Sequence, residues 1–404
     1  MLTLKIAVRN LLRQKRRTLY TGLSMLVGFV LACFFIGWAD GTYNYIIDSF
    51  TRNRLGHIQI HREGYLDKAS LYKTIDDPDA VAEILGSVPR IDAWAPRIFS
   101  AGLVSVEEKS AGAQVIGIDP AREDRMTDFS ERVVEGRFFS DARYEVIMGE
   151  ELAKILHGAV GDSVVIVSQA ADGSIANEIY DIVGLVDMGD PGLNRSGFYL
   201  SLEDAQELFV LYGRVHQIAL TVDSLNAVAG VTDSLREELG GSGLEVDPWQ
   251  EFAGEFYRAM QADKNGMYVS LLVVILVVAV TILNTILMSV LERQKEYGVL
   301  RAVGTRPGQI VKMVVAETSI LALASIVLGS VIGGLLNLYF AEHGIVLANP
   351  INWGSMQLDR MKGEVNLRSF VLPALTVLVT SLLVCIVPAL KAARTEPAET
   401  MRMF

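Results

Sequence analysis

The sequence is poor in the residues that cross-link small domains or bind metals. Only two of its 404 residues are cysteines, Cys33 and Cys385, and both lie in long apolar runs. The polar stretch 39–266 has none, so it must fold without disulfides or thiolate metal ligands. Histidine is also scarce, and His57 and His61 lie in a strand-like stretch, where a four-residue separation spans about 13 Å. Because that is too far for one metal ion, we expect no metal site.

Signatures of catalysis and of nucleotide hydrolysis are missing too. The sequence contains no G-x-x-x-x-G-K-[ST] loop, no G-x-S-x-G and no H-E-x-x-H. Adjacent carboxylates such as Glu107 and Glu108 point in different directions and are typical of a solvated surface. We therefore predict that the chain has no catalytic residues and does not hydrolyse ATP through a P-loop.

Charge is nearly absent from four apolar runs, which cover residues 18–38, 267–291, 313–340 and 369–390. A run of about 20 residues crosses about 30 Å of hydrocarbon at 1.5 Å per residue. These runs exclude a soluble enzyme, and a net charge of −11 disfavours a basic nucleic-acid-binding protein. We predict four transmembrane helices. Glu317, an ionisable group inside the third run, is a functional candidate by default.

Positive charge is unevenly distributed along the chain. Residues 39–266 carry 39 Asp/Glu against 19 Lys/Arg, whereas residues 1–17, 292–312 and 391–404 together carry 14 Lys/Arg against four acidic residues. Basic loops stay on the cytoplasmic side, so both termini and 292–312 are predicted inside, with 39–266 and the short loop 341–368 outside. Residues 1–17 form either a basic amphipathic helix on the inner leaflet or a simple charged flank.

The large outside stretch alternates short β-prone runs with short helical ones, which is typical of a mixed α+β domain. We expect two lobes, with boundaries near Ala95 and Gly213, and a helix N-cap at Ser201. The predicted strands are Thr51–Ile60, Tyr144–Gly149, Ser163–Ser168, Tyr180–Val186, Phe198–Ser201 and His216–Asp223, and the predicted helices are Asp79–Leu85, Glu150–Leu156, Leu202–Phe209 and Val228–Leu239.

The segment between the second and third apolar runs has a pattern of its own. No helix breaker occurs from Phe252 to about Leu300, Gly304 then ends the helix, and Pro307 begins the next one. Val299–Val303 forms an apolar stripe, which favours an amphipathic element that docks onto a cytoplasmic partner. The alternative is a simple topogenic loop, which would need fewer residues and no such stripe.

This segment, LERQKEYGVLRAVGTRPGQI, resembles the E-R-x-x-E-x-G-x-L-R-A-x-G coupling-helix signature of the MacB/FtsX/Lol (type VII) ABC permeases. RNLLRQKRRTLYTGLSMLVG, VIMGEELAKIL, FYLSLEDAQELF and VPALKAARTEPAETM resemble further parts of that family, in its order around four spans. The resemblance implies a polytopic inner-membrane permease with a MacB-like periplasmic core. It implies a homodimer or heterodimer that relays motion from a separate ATPase dimer, which binds ATP and Mg²⁺. The matching positions, which the resemblance assigns to ATPase coupling, are Glu292, Arg293, Glu296, Gly298, Leu300, Arg301, Ala302 and Gly304.

Within the family, LGHIQIHREGY and DIVGLVDMGDPGLNRSGFYL resemble the lipoprotein-releasing LolC/LolE type. That likeness implies extraction of lipoproteins from the outer leaflet of the inner membrane, with a periplasmic carrier as a further partner. Two alternatives stay open: a MacB-like efflux permease with a periplasmic adaptor and an outer-membrane duct, and a signalling module that controls a cell-envelope enzyme. Acyl chains would need an apolar cleft between the first two spans. The alternative is that the candidate residues only face lipid or pack against other helices. The candidate cleft residues are Phe29, Phe34, Phe35, Ile36, Met267, Leu271, Leu272 and Val274.

Overall fold

The computed structural model describes residues 9, 11, 13, 15–353 and 356–394. The chain divides into two compact units. The membrane unit comprises the described residues up to 43 together with 260–346 and 360–394, and the sheet unit comprises 44–259 and the described part of 347–359. Most of the predicted amphipathic segment 1–17 and of the tail 391–404 lies outside the described residues.

Among the described residues, four helices are long and apolar enough to cross a membrane. Each of the predicted apolar runs lies inside one of these helices, so the predicted polytopic helical architecture is confirmed. The first two helices extend well beyond their runs on the side of the large polar stretch. The helices are TM1 (Lys15–Phe50), TM2 (Gly254–Glu292), TM3 (Pro307–His343) and TM4 (Leu367–Ala393).

The described part of the sheet unit is built on one ten-stranded sheet. Its strands are β1 (Ile58–Arg62), β2 (Ile91–Val106), β3 (Lys109–Ile118), β4 (Val133–Gly136), β5 (Glu145–Gly149), β6 (Ser163–Gln169), β7 (Ile175–Val186), β8 (Gly197–Ser201), β9 (Gln217–Val222) and β10 (Leu244–Pro248). They follow the order β10-β1-β9-β2-β3-β8-β5-β7-β4. Strand β6 pairs with both β2 and β7, which closes β2, β3, β8, β5, β7 and β6 into a ring.

Side chains on the two faces of this ring form separate clusters. Val115 and Phe198 belong to the main core and are fully buried. The next residue on each strand, Ile116 and Tyr199, faces the other way and belongs to a second cluster with Phe129. This division follows from the two-residue period of a strand. The ring is therefore apolar on both faces, and its second face needs a cover.

Short helices supply that cover and connect the strands. Helix α3 has the predicted bounds, and the predicted N-cap is confirmed because the Ser201 hydroxyl accepts a hydrogen bond from the Asp204 N–H at 3.1 Å. The helices are α1 (Pro78–Ser87), α2 (Pro120–Thr127), α3 (Glu150–Leu156), α4 (Pro191–Ser196), α5 (Leu202–Leu208), α6 (Val228–Glu238) and α7 (Trp249–Phe252), with 3-10 turns at Phe129–Arg132 and Leu225–Ala227.

One prediction for the sheet unit is wrong. Residues Thr51–Leu55 are not a strand but a π-helical turn that continues TM1, stabilised by an ion pair between Arg52 and Asp48 at 3.2 Å. Only at Gly56, with a φ of 81°, does the chain leave the helix and enter β1. The lobe boundaries near Ala95 and Gly213 stay a prediction: residues 44–259 belong to one compact unit, in which β2 pairs with β9 up to Arg97 and with β3 from Arg97 onward.

The polar segment between TM3 and TM4 was predicted as a short loop. Its described residues contain a two-stranded hairpin, β11 (Ile345–Trp353) with β12 (Met356–Met361). The sequence of this segment carries no strong alternation of apolar and polar residues, which is why the hairpin was missed.

Candidate functional site

The segment after TM2 forms a short helix of its own, Gln294–Ala302, which we name the coupling helix. TM2 does not continue to Leu300 as predicted, because Arg293 departs from helical geometry with a φ of −100° and a ψ of 9°. At the other end, the N–H groups of Gly304 and Thr305 donate to the carbonyls of Arg301 and Leu300, at 3.0 and 2.9 Å. This is a Schellman cap, and the φ of 98° at Gly304 is one that glycine adopts without strain.

Arg293 points away from the surface and forms a buried ion pair. Its Nη1 lies 2.7 Å from Oε2 of Glu317 on TM3, and its Nε lies 2.8 Å from Oε2 of Glu296. Arg293 is 4% exposed and Glu317 is 7% exposed. The guanidinium also lies over the ring of Tyr297, 5.2 Å from its centroid. Arg293 therefore positions the coupling helix on TM3 and is not on the face that a partner would contact.

Glu296 lies at the edge of the same cluster. Its Oε1 accepts from Nη2 of Arg13 at 3.0 Å, while its Oε2 accepts from Arg293. The Arg13 side chain is 70% exposed, so this outer pair contributes little to stability. It does connect the segment before TM1 to the coupling helix. Glu317, whose role could not be predicted from the sequence, is the buried carboxylate that pairs with Arg293 in this cluster.

The opposite face of the coupling helix is exposed and apolar. Val299 and Val303 are 56% and 83% exposed, and Leu300 between them is 37% exposed. The predicted stripe Val299–Val303 is thus on the surface of the described structure. Of the remaining motif positions, Glu292, Ala302 and Gly304 are exposed, Arg301 is half-buried, and Gly298 is buried next to Tyr297.

The residues predicted to line an acyl-chain cleft do not share one surface. Phe29 is fully buried against TM3, where a Cβ added to Gly329 would lie 2.5 Å from its ring. Ile36 and Leu271 are also buried, so helix packing is the better interpretation for these three residues. Leu272 is 54% exposed. The other four candidates, Phe34, Phe35, Met267 and Val274, are half-buried.

TM1 and TM3 are held together by small and polar residues. The Ser325 hydroxyl donates to the Gly22 carbonyl at 2.9 Å, and the Asn337 amide donates to the Cys33 carbonyl at 3.2 Å. A Cβ on Gly333 would lie 2.9 Å from the sulfur of Cys33. Ser325, Gly329 and Gly333 therefore pack TM3 against TM1. Close backbone approach between membrane helices depends on such residues.

A second polar cluster lies at the other end of the membrane helices. Arg368 at the start of TM4 pairs with Asp40 of TM1 at 3.2 Å and donates to the Tyr268 hydroxyl of TM2 at 2.6 Å. The Asn366 amide also donates to Asp40, at 3.2 Å. No local pattern predicts this cluster, because Asp40, Tyr268 and the pair Asn366/Arg368 come from three parts of the chain at least 98 residues apart.

The two histidines considered as metal ligands belong to the core of the sheet unit. His57 Nδ1 accepts from the Val222 N–H at 3.0 Å, and its Nε2 lies 3.2 Å from Asp48. His61 is 1% exposed and stacks on Tyr65, with centroids 5.1 Å apart. No group of three or more metal-ligating side chains occurs in the described part of the chain.

The fold combines four spans, a coupling helix anchored by a buried ion pair, and a separate mixed α/β domain. These features define a multi-pass membrane protein of the permease type. Family models agree: one for the MacB-like periplasmic core domain matches residues 18–238, and one for the FtsX-like permease C-terminal region matches 268–397. The first match covers more than half of the chain. The chain belongs to the family of FtsX-like ABC transporter permeases with a MacB-like periplasmic core.

Similar proteins span most of the chain. The lipoprotein-releasing system transmembrane protein LolC of Neisseria meningitidis is 24% identical over 365 residues, which cover 87% of this chain and 86% of LolC. The corresponding LolE of Haemophilus influenzae is 24% identical and covers 78% of each chain. The macrolide export ATP-binding/permease protein MacB of a Shewanella species is also 24% identical, over 84% of this chain but only 53% of MacB. The predicted family is confirmed, and the chain is a permease subunit of a MacB/FtsX/Lol-type ABC transporter.

Proposed function

We propose that this permease subunit extracts lipoproteins from the outer leaflet of the inner membrane and passes them to a periplasmic carrier, driven by a separate cytoplasmic ATPase. The observation that carries the proposal is the match to LolC and LolE along most of both chains, at 78–87% of this chain and 78–86% of those proteins. The MacB match, in contrast, leaves nearly half of MacB uncovered. In this proposal ATP and Mg²⁺ bind to the partner ATPase, and this chain supplies no cofactor site.

The charge distribution supports an orientation. Segments 1–17, 292–312 and 391–404 hold 14 basic and four acidic residues, so both termini and the coupling helix would be cytoplasmic. The stretch 39–266, with a net charge of −20, would be periplasmic. This orientation puts the exposed face of the coupling helix on the side where the ATPase is.

The contacts within the membrane unit suggest how motion would pass through it. A displacement of the coupling helix by the ATPase would reach TM3 through the ion pair between Arg293 and Glu317, which joins the two elements at 2.7 Å. TM3 would carry TM1 with it, because the amide of Asn337 donates to Cys33 and Ser325 donates to Gly22. Relay of this kind needs rigid elements that move as units rather than a channel.

A second permease subunit, identical or related, would complete the machine. TM2 is the least buried of the four spans: only 17% of its most apolar 18-residue stretch is buried. Its exposed stripe includes Val269, Leu272, Val273 and Leu276, each at least 54% exposed. We expect the acyl chains of the substrate to lie between this stripe and the partner subunit, with Phe35, Met267 and Val274 at its border.

The test is release of a triacylated lipoprotein from proteoliposomes that hold this chain, its sister permease if one exists, and the ATPase. We expect ATP-dependent transfer of the lipoprotein to its soluble carrier. A matched preparation with Leu300→Asp on the coupling helix should hydrolyse ATP without release. Vigorous ATP hydrolysis without release of any lipoprotein would contradict the proposal, and a stable complex with a periplasmic adaptor would favour the efflux alternative.

A further inference from the structure

The sheet unit contains a cavity of about 370 Å³ on the second face of the strand ring. Its floor is formed by side chains of β2, β3, β8 and β9 that point away from the main core. Helix α2 with the turn after it, and the segment from Met188 to Ser196, form its walls. Gly192 in that segment is exposed, so the cavity opens beside α4. Its volume is in the range of small-molecule sites, about 300–1,000 Å³.

Two residues that line the cavity carry buried polar atoms without a partner. The hydroxyl oxygen of Tyr199 and the amide nitrogen of Gln217 make no hydrogen bond within the described structure. Tyr199 is 3% exposed and Gln217 is 4% exposed. Burial raises the pKa of Tyr199 well above its ordinary value, so the hydroxyl keeps its proton and can donate. Buried polar groups without a partner are rare in native proteins, and each calls for an explanation.

The charged groups around the cavity compensate one another. Arg97 forms a bidentate pair with Glu123, with Nε–Oε2 and Nη2–Oε1 distances of 2.9 and 2.6 Å, and both residues are buried. Arg54 forms a second pair with Asp190 near the opening. Two cations therefore face two carboxylates. A charged ligand would find no uncompensated opposite charge, whereas a neutral ligand would fit.

The positions of the two partnerless groups constrain the shape of the ligand. Gln217 on β9 is in register with Arg97 on β2, which is in register with Ile118 on β3. Tyr199 lies on β8, the next strand, so three strand spacings separate it from Gln217. Three spacings amount to about 14 Å, or roughly four residues of extended chain. A ligand with acceptor atoms at intervals along its length suits two donors on strands this far apart, whereas a simple acyl chain carries acceptors at one end only.

We propose that this cavity binds a short, uncharged peptide segment with apolar side chains. Its backbone supplies carbonyl acceptors at regular intervals, so separate carbonyls reach Tyr199 and Gln217. Its apolar side chains lie against Ile116, Phe129 and Met188, and its N–H groups have oxygen acceptors in the amide of Gln114 and the hydroxyl of Ser196. The proposal is independent of the transported cargo, because it concerns a site within the sheet unit alone.

The test uses isothermal titration calorimetry on the full chain in lipid nanodiscs. The ligand is a tetrapeptide of Val and Ala residues, acetylated at its N-terminus and amidated at its C-terminus. We expect saturable binding, weakened about 3- to 10-fold by Tyr199→Phe and by Gln217→Leu, the range for loss of one hydrogen bond. Neither variant should lower the Tm of the unliganded protein, because neither removes a bond that the folded chain makes. The matched control is Tyr180→Phe, a buried tyrosine of the main core outside the cavity.

Three results would overturn the proposal. The first is no binding of the tetrapeptide at millimolar concentration, which would leave water as the occupant. The second is equal affinity in the Tyr199→Phe, Gln217→Leu and Tyr180→Phe variants, which would place the peptide elsewhere. The third is binding of a monoacylglycerol in preference to the peptide, which would assign the cavity to lipids. Failure of lipoprotein release leaves all three readouts unaffected, so the two proposals are tested separately.

Discussion

Replacing Glu317 by glutamine removes the negative charge that faces Arg293 inside the membrane unit. The side chains of Arg293 and Glu317 are 5% and 9% exposed, and their charged atoms lie 2.7 Å apart. Removing one partner of a buried pair leaves an uncompensated charge and costs about 3–5 kcal/mol. Glu296 retains its contact with Arg293, and its side chain is 36% exposed, so we expect the lower end of that range, about 3 kcal/mol.

Thermal unfolding of the membrane unit, followed on the purified chain in nanodiscs, measures this loss, and for a unit of that size about 3 kcal/mol corresponds to a fall in Tm of about 6–12 °C. Glu292→Gln is the matched control, since Glu292 is exposed two residues before the coupling helix and its replacement should cost less than about 0.5 kcal/mol. The double variant Arg293→Met/Glu317→Leu should recover most of the stability, because it leaves no buried charge. Equal Tm values for Glu317→Gln and Glu292→Gln would refute the reasoning.

Three further predictions concern other parts of the chain. Gly304→Ala forces a residue with a Cβ into a φ of 98°, and should cost about 1–2 kcal/mol and speed hydrogen exchange in the coupling helix; unchanged exchange would contradict the Schellman cap. A Cβ at position 37 would lie 2.3 Å from the amide of Asn337, so Gly37→Val should lower the Tm by several degrees. The control is Gly266→Val, which should leave the Tm unchanged because no atom lies within 4 Å of a Cβ there. His216 Nδ1 accepts from the Phe99 N–H at 3.0 Å, and burial lowers the pKa of His216 below its ordinary 6.5. Folding therefore favours the neutral ring, so stability is complete above pH 6.5 and is lost as the pH falls below it, which hydrogen exchange in β2 between pH 7.5 and 5 should report.

The parts of this fold that could be predicted depend on local signals. Absence of charge over 20 residues is sufficient to identify a membrane span, because the cost of burying charge in hydrocarbon exceeds other preferences. Ser201 and Gly304 were predicted from single positions, since a cap and a positive φ each have a strong residue preference. The predicted strand Thr51–Ile60 is wrong over its first half, Thr51–Leu55, because helix and strand patterns cannot be distinguished over ten residues.

The parts that could not be predicted depend on contacts between distant residues. Arg293 and Glu317 lie 24 residues apart and meet only because the chain reverses at Gly304. The motif therefore identified Arg293 as important without distinguishing a docking residue from one that positions the helix. Tyr199 and Gln217 reach the same cavity through the strand order β9-β2-β3-β8, in which only β2 and β3 are consecutive in sequence.

Photo-crosslinking from Val303 tests the central claim, that the exposed face of the coupling helix docks onto a cytoplasmic ATPase. Val303 is 83% exposed, and Ile175 of the sheet unit, at 76%, provides a matched exposed position. With a photoreactive amino acid at either site in cells that co-express the ATPase, we expect a crosslink to the ATPase from position 303 and none from position 175. A crosslink from position 175, or none from position 303 in an assembled and active complex, would contradict the account.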